Sequence, residues 1–356
     1  MRRIVIHRPG GYDRLTLTAA PDPTPGPGEV AIEVAAAGVN FADCITRMGL
    51  YASAKALVGY PITPGFEVAG RVAAVGDGVD DLTPGTPVLA LTLFGGYATR
   101  AVVPRAQAAP VPADWSPAEA AAFPTAFLTA WYALFELAHP RPGARVLVHS
   151  VAGGVGQALV QLARLADCEV TGVVGAPHKV AAVAALGAGA VIDKSRAALW
   201  AEAERAAPGG FDVILDANGA ETLRAGYDHL APGGKLVVYG FHSMFRKDGG
   251  GRPPWPRLLR DWLRTPRFNP MALTGDNKSV LAFNLSFLAD RADLLRAALD
   301  ELLGWAAAGR IRPLPVTAYP FAEVARAHRD LESGQTVGKL VLETGGDPRH
   351  PEEKRP

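Results

Sequence analysis

The residues best suited to chemistry lie between Arg145 and Lys179. Gly153, Gly154 and Gly156 follow a short β-branched run, Val146 to Val148, and precede Val155, Leu159, Val160, Leu162 and Ala163, which recur at helical spacing. A second such run, Val170 to Val174, completes a strand, turn, helix, strand unit of the size that binds a dinucleotide. Glycine suits this turn because a pyrophosphate must reach unpaired N–H groups at the helix N-terminus, and a Cβ would hold it away. Against G-x-G-x-x-G, Val151 stands first while Gly153 and Gly156 fill the second and third positions. No Gly-Lys-Ser/Thr follows the glycines, which excludes a mononucleotide P-loop.

The end of the second strand selects the cofactor. A carboxylate there would hold a ribose 2′-hydroxyl, whereas a cation without a nearby acid accepts a 2′-phosphate. This strand runs out into Gly175, Ala176, Pro177, His178 and Lys179, with no acid among them. Two readings of Lys179 stand: a partner for the phosphate, or a solvated residue in the first turn of a helix begun by Pro177. The first points to NADPH.

Neither G-x-S-x-G nor H-E-x-x-H occurs, and the eight histidines are scattered. That leaves hydride transfer, in which the cofactor carries the reaction and the protein supplies position and polarity. Two cysteines, Cys44 and Cys168, rule out a disulfide framework and a four-cysteine zinc site. A net charge of +1, with no basic block, gives no reason to expect nucleic acid. The apolar part of the N-terminus is too short for a signal peptide and reads as a strand, so the chain is expected in the cytoplasm. Ala120 to Phe135 is uncharged apart from its flanks but shorter than the ~20 residues of a spanning helix. Pro124 interrupts it, and a buried helix between domains is expected, with no integral membrane segment.

The elements that must position these residues fall into two patterns. Residues 1–122 hold short alternating runs at Ile4 to Ile6, Val30 to Ala35, Val68 to Val75, Val88 to Leu91 and Tyr97 to Val103, divided by Gly/Pro turns as in a barrel-like domain. Residues 123–288 alternate strands and helices, with buried-strand patterns at Val191-Ile192, Asp212 to Asp216 and Lys235 to Tyr239. The fold class is therefore α/β: a β-rich domain plus a doubly wound nucleotide-binding sheet, with ligands at the carboxyl ends of its strands. Asn218, Gly219, Gly240 and Phe241 then either face the cofactor or only end strands. Residues 245–276 interrupt the series with Gly249 to Gly251, Pro253 to Pro256, and a basic amphipathic stretch from Arg257 to Arg264. Its Trp255, Leu258, Leu259, Trp262 and Leu263 suit a substrate cover, a second subunit or a lipid surface. A helix from Arg291 to Ala308, a strand at Pro315 to Ala318, a helix from Phe321 to Leu331, a strand at Lys339 to Glu343 and a frayed tail complete the chain.

Read together, Ala37 to Tyr51, Pro64-Gly-Phe-Glu-Val-Ala-Gly70, Val75-Gly-Asp-Gly-Val79 and Ala152-Gly-Gly-Val-Gly156 resemble the medium-chain dehydrogenase/reductase superfamily, on its zinc-free quinone oxidoreductase branch. The resemblance runs in order to Gly338-Lys339, and Leu281 to Leu288 with the aromatic insertion is most like the vesicle amine transport protein-like group. It implies a GroES-like catalytic domain, 1–122 with 289–356, a Rossmann NADP-binding domain at 123–288, and a homodimer. It implies catalytic roles for Asn40, Asp43 and Tyr51 beside the nicotinamide. Thr129, Gly153, Gly154, Val155, Gly156, Lys179, Asn218, Gly240, Phe283, Asn284 and Lys339 would then bind the cofactor. Asn40 and Phe66 stand where zinc alcohol dehydrogenases place a cysteine and a histidine, so no metal is expected.

The chain departs from the branch at Ile45, where a second tyrosine is common, and at Lys194, which replaces a tyrosine and adds a second cation for the 2′-phosphate. The reading that follows is hydride transfer from NADPH to a small quinone or α,β-unsaturated carbonyl, with Asn40 or Tyr51 donating to the developing oxyanion. For Asp43 the alternative is a helix cap or an ion pair with Arg47, four residues on. Two other functions stay open: an NADPH-binding module associated with a membrane or partner and with little turnover, and an enoyl reductase for a biosynthetic intermediate.

Overall fold

The computed structural model describes residues 1–245 and 250–345. Gly249 of the glycine run and the tail expected to fray beyond Gly345 lie outside the described residues. Six parallel strands form one sheet, in the spatial order Ala190–Asp193, Glu169–Val174, Arg145–Val148, Phe211–Asp216, Leu230–Val238, Ser279–Ala282. This is the doubly wound arrangement, and the strand order reverses beside Arg145–Val148. Val146, Leu147 and Val148 have no exposed surface because both sheet faces are covered, which is why the strand is a continuous apolar run. The sixth strand, Ser279–Ala282, has a half-buried pattern and escapes a reading that looks for buried runs.

The second sheet is mostly antiparallel and joins the two ends of the chain. Lys339–Glu343 pairs with Glu29–Val39, which pairs in turn with Glu67–Val75 and Arg100–Pro104. Gly338 is also bridged to Gly153, and its N–H donates to the Ala152 carbonyl at 2.8 Å. The last strand therefore runs directly past the glycine turn.

Pro124–Trp131 is a buried helix with Pro124 in its first turn, where the missing N–H costs nothing. Among the described residues no helix is long and apolar enough to cross a membrane. Helix Ala292–Ala307 packs Ala298, Leu299 and Leu302 into the same core, and Trp131 Nε1 donates to Glu301 at 2.8 Å. The division drawn at residue 288 falls just before a helix whose core takes in residues of both sheets. The insertion forms two helices, Trp255–Arg264 and Pro270–Asp276. Phe268 and Leu273 pack beside Leu223 and Tyr227, fixing the second helix to the sheet.

Candidate functional site

One cleft of about 1320 Å³ runs between the two sheets. Its wall brings together Asn40, Tyr51, Thr129, Gly153, Gly154, Val155, Gly156, Lys179, Lys194, Asn218, Gly240, Phe283, Asn284 and Lys339. Asp43 alone of the candidate site residues is not part of that wall.

The floor is the N-terminus of helix Gly154–Leu165, capped by Gly153. A Cβ on Gly156 would stand 2.5 Å from Val151 Cα and 2.7 Å from the Ser150 carbonyl, both backbone, so only glycine fits without a shift. The left-handed residue of the turn is Ser150, at φ 52°, and its hydroxyl donates to Asn218 Oδ1 at 2.9 Å. Nothing in the glycine spacing singles out Ser150. Val151 is fully buried against Gly172, so the position that breaks the fingerprint is filled by packing.

At the end of the second strand Lys179 is only 8% exposed, which removes its reading as a solvated residue. Its Nζ donates to the Gly334 carbonyl at 2.6 Å. Lys194 lies along Gly175, with Nζ 3.5 Å from a Glu221 carboxylate that is itself 58% exposed. Both cations line the cleft, and each has a partner. Glu221, unmarked in the sequence, also lines the cleft.

The opposite end is set by helix Phe41–Arg47. Asn40 precedes it, and Asp43 Oδ2 accepts from the Asn40 N–H at 2.8 Å. Asp43 has no exposed surface; its other oxygen accepts from the Gly65 N–H at 2.8 Å, and Tyr97 Oη donates to Oδ2 at 3.1 Å. Burial pushes its carboxyl up to about 7, against the three donors and the Lys339 charge, which pull it down. The geometry makes Asp43 a brace for the Asn40 turn, fully buried behind the cleft wall. The expected ion pair to Arg47 is absent: Arg47 bonds Glu332 at 2.8 Å, in a pocket where both side chains are buried.

Asn40 is held by both ends of its amide. Nδ2 donates to Glu67 Oε1 at 2.9 Å, and Oδ1 accepts from Lys339 Nζ at 2.6 Å. Lys339 also lies 2.6 Å from Glu67 Oε1 and donates to the Val39 carbonyl at 3.2 Å. Glu67 Oε2 accepts from the Thr125 N–H at 2.8 Å, which ties this cluster to helix Pro124–Trp131. Glu67 is a site residue that sequence reading passed over, although it sits in the quoted run after Phe66. Tyr51 donates to Asn284 Oδ1 at 2.9 Å and lies 2.9 Å from Ser286 Oγ. Its ring meets Phe66 edge-on at 5.7 Å, and burial raises its pKa, so it stays protonated. Ile45 forms apolar wall nearby.

Two places bear on metal binding. Where a zinc alcohol dehydrogenase would gather ligands, the Lys339 ammonium contacts Asn40 and Glu67 and Phe66 offers no donor, so the residues do not fit a cation. Cys44, His328 and Glu332 form a close buried group of potential donors, but Arg47 reaches Glu332 at 2.8 Å and His328 Nδ1 at 3.1 Å. A fixed guanidinium between them, with a thiol raised by burial, leaves no place for a second positive charge.

The model of the alcohol dehydrogenase GroES-like domain matches residues 26–113, and that of the zinc-binding dehydrogenases matches residues 186–342. A synaptic vesicle membrane protein VAT-1 homolog of Rattus norvegicus is 34% identical over 347 residues, 97% of this chain and 84% of that protein. The Escherichia coli quinone oxidoreductase complexed with NADPH superposes with a TM-score of 0.82 at 28% identity, covering 96% of this chain and 100% of that one. The CurK enoyl reductase superposes with a TM-score of 0.83 at 30% identity, covering 96% and 98%.

Proposed function

The chain belongs to the medium-chain dehydrogenase/reductase superfamily, and from that premise we propose that it is a zinc-independent, NADPH-dependent reductase of quinones or α,β-unsaturated carbonyls. The observation that carries the reading is the single cleft with the glycine turn and two lysines at one end and Asn40 and Tyr51 at the other.

The N–H groups at the start of helix Gly154–Leu165 would hold the pyrophosphate. Lys179 and Lys194 would hold the 2′-phosphate: both line the cleft at the end of the second strand, and an exposed pair such as Lys194 with Glu221 yields to a phosphate. Thr129, Asn218, Gly240, Phe283 and Asn284 would wall the nicotinamide side. When bound, the cofactor supplies one hydrogen with two electrons to an electron-poor carbon, and the electron pair displaced from the double bond is received by the conjugated oxygen.

Tyr51 is the donor for that oxygen. Its hydroxyl exchanges the bond to Asn284 Oδ1 for the substrate oxygen, and its proton is replaced from Ser286 or solvent. Asn40 contributes through position, since Glu67 and Lys339 occupy both ends of its amide. Phe66 and Ile45 exclude water from the reacting end. The same reading carries a homodimer working in the cytoplasm, which light scattering and cell fractionation address.

The test is oxidation of NADPH, with NADH as control, against a panel of quinones and enones. Turnover with NADPH preferred is the expected result; no oxidation with any acceptor sinks the reading.

A further inference from the structure

Helix Trp255–Arg264 places Trp255, Leu258, Leu259 and Trp262 on the cleft wall. Their spacing of three, four and seven residues is one helical face. Yet Trp255, Leu259 and Trp262 are 64%, 60% and 61% exposed. An apolar face that is at once wall and open to water suits an apolar group laid against it, since burying such side chains is worth about 1.5–3 kcal/mol each. The face is continuous with the reacting end. Phe41, next to Asn40, lies 4.3 Å from the His242 ring and 5.6 Å from the Phe245 ring, and the Ser243 carbonyl accepts from Arg257 on the same helix. From Trp255 to Trp262 the helix offers about 10 Å of track.

We propose that this face carries the extended apolar tail of the substrate, so that the acceptor is a long-chain quinone or enone whose ring reaches Tyr51 and Asn40 while its tail lies along Trp255, Leu259 and Trp262. The proposal rests on the reductase reading for what happens at the ring, and on the continuity of the apolar wall for the tail. The face adjoins the reacting end as part of the same cleft wall, which favours a substrate tail over a membrane contact. Arg260 and Arg264 stand off this face, and Arg260 is drawn to Asp261 at 2.7 Å.

The experiment compares benzoquinones bearing a methyl, hexyl or decyl chain, in the full chain and in the triple variant Trp255→Ser, Leu259→Ser, Trp262→Ser. A methylene withdrawn fully from water is worth about a factor of 4, and one covered on a single side about a factor of 2. The kcat/KM ratio of decyl to methyl is therefore expected to reach about 100-fold or more in the native chain. It is expected to drop below about 10-fold in the triple variant. Leu263→Ser with Met271→Ser, exposed apolar residues off the cleft wall, keeps the native ratio. A second arm measures tryptophan fluorescence with the dimethyl ethers of the same hydroquinones, which cannot be reduced; the decyl compound alone is expected to shift emission, and only with Trp255 and Trp262 present. A flat chain-length series, or one unchanged in the triple variant, overturns the tail while leaving the reductase standing. A decyl-dependent shift without turnover of any quinone removes the reductase and keeps the tail. If the triple variant instead loses sedimentation with phosphatidylserine vesicles, or dissociates a dimer, at an unchanged ratio, the face belongs to a membrane or a second copy and the proposal fails.

Discussion

Replacing Lys339 by methionine removes the ammonium from a cluster in which Glu67 has no exposed surface. The carboxylate would keep two neutral donors, the Asn40 amide at 2.9 Å and the Thr125 N–H at 2.8 Å, and lose its only charged partner among the described residues, at 2.6 Å. Breaking a buried pair from one side costs about 3–5 kcal/mol, because the surviving charge stays buried. An unfolding entropy of roughly 2.1 cal/mol/K per residue over the whole chain makes that a fall of about 4–7 °C in Tm, if the two sheets melt as one unit. Glu67→Gln alone is expected to cost a similar amount, since it strands the ammonium. The double variant leaves no unpaired charge and is expected to recover at least half of the summed loss. Calorimetry of the four proteins gives the coupling directly, and a coupling of about 3 kcal/mol or more is expected. If the two single losses add to within about 0.5 kcal/mol, or if Lys339→Met costs less than about 1 kcal/mol, the cluster is not the joint described above.

Three further outcomes follow from the same geometry. Asp43, at about 7 in the folded chain against 3.8 as an ordinary aspartate, keeps its proton where the unfolded chain has lost it. Its contribution is therefore full below about pH 4, declines as pH rises to about 7 and is level above, by at most about 4 kcal/mol; Asp43→Asn should remove that slope from a plot of Tm against pH, and parallel plots refute it. Lys179→Ala and Lys194→Ala should each raise KM for NADPH by about 10- to 100-fold while sparing NADH, as charged hydrogen bonds of about 1.5–3 kcal/mol require; an unchanged cofactor ratio in both refutes the 2′-phosphate site. Gly156→Ala should cost stability by about 1–3 kcal/mol, because its Cβ meets backbone at 2.5 Å, whereas Gly153→Ala, with nothing nearer than 3.5 Å, should weaken NADPH binding at an unchanged Tm.

The nucleotide half of the site was legible because its signals are local. A glycine turn between two buried strands announces a strand, turn, helix unit within about thirty residues; Gly156 packs against the backbone of that turn, and Lys179 lines the same cleft. The reacting half is assembled from distant pieces. Asn40, Glu67 and Lys339 meet only because the last strand pairs with Glu29–Val39. Tyr51 reaches Asn284 and Ser286 across more than two hundred residues. No periodicity reports such contacts. Asp43 illustrates the difference: a carboxylate three residues into a helix reads equally as acid or cap, and the choice depends on Gly65 and Tyr97, which sequence does not bring near it.

Helix Phe41–Arg47 carries more than the reacting turn. At its start Asp43 braces Asn40, and at its end Arg47, with no exposed surface, donates to the Gly251 carbonyl at 2.9 Å at the root of the insertion. The two are linked through neutral groups. Burial and the Arg47 charge hold His328 well below its usual pKa; Nδ1 accepts from Arg47, so Nε2 carries the proton and donates to Tyr97, whose hydroxyl donates to Asp43. With Asp43 ionised, above about pH 7, each bond of that chain has one donor direction, and reversing one would leave a buried group unsatisfied. The mouth formed by the insertion and the Asn40 turn are therefore held in one register by seven residues of helix. A substrate gripped at the mouth is presented at a set distance from the reacting end, which is how binding of a remote tail becomes orientation of the ring.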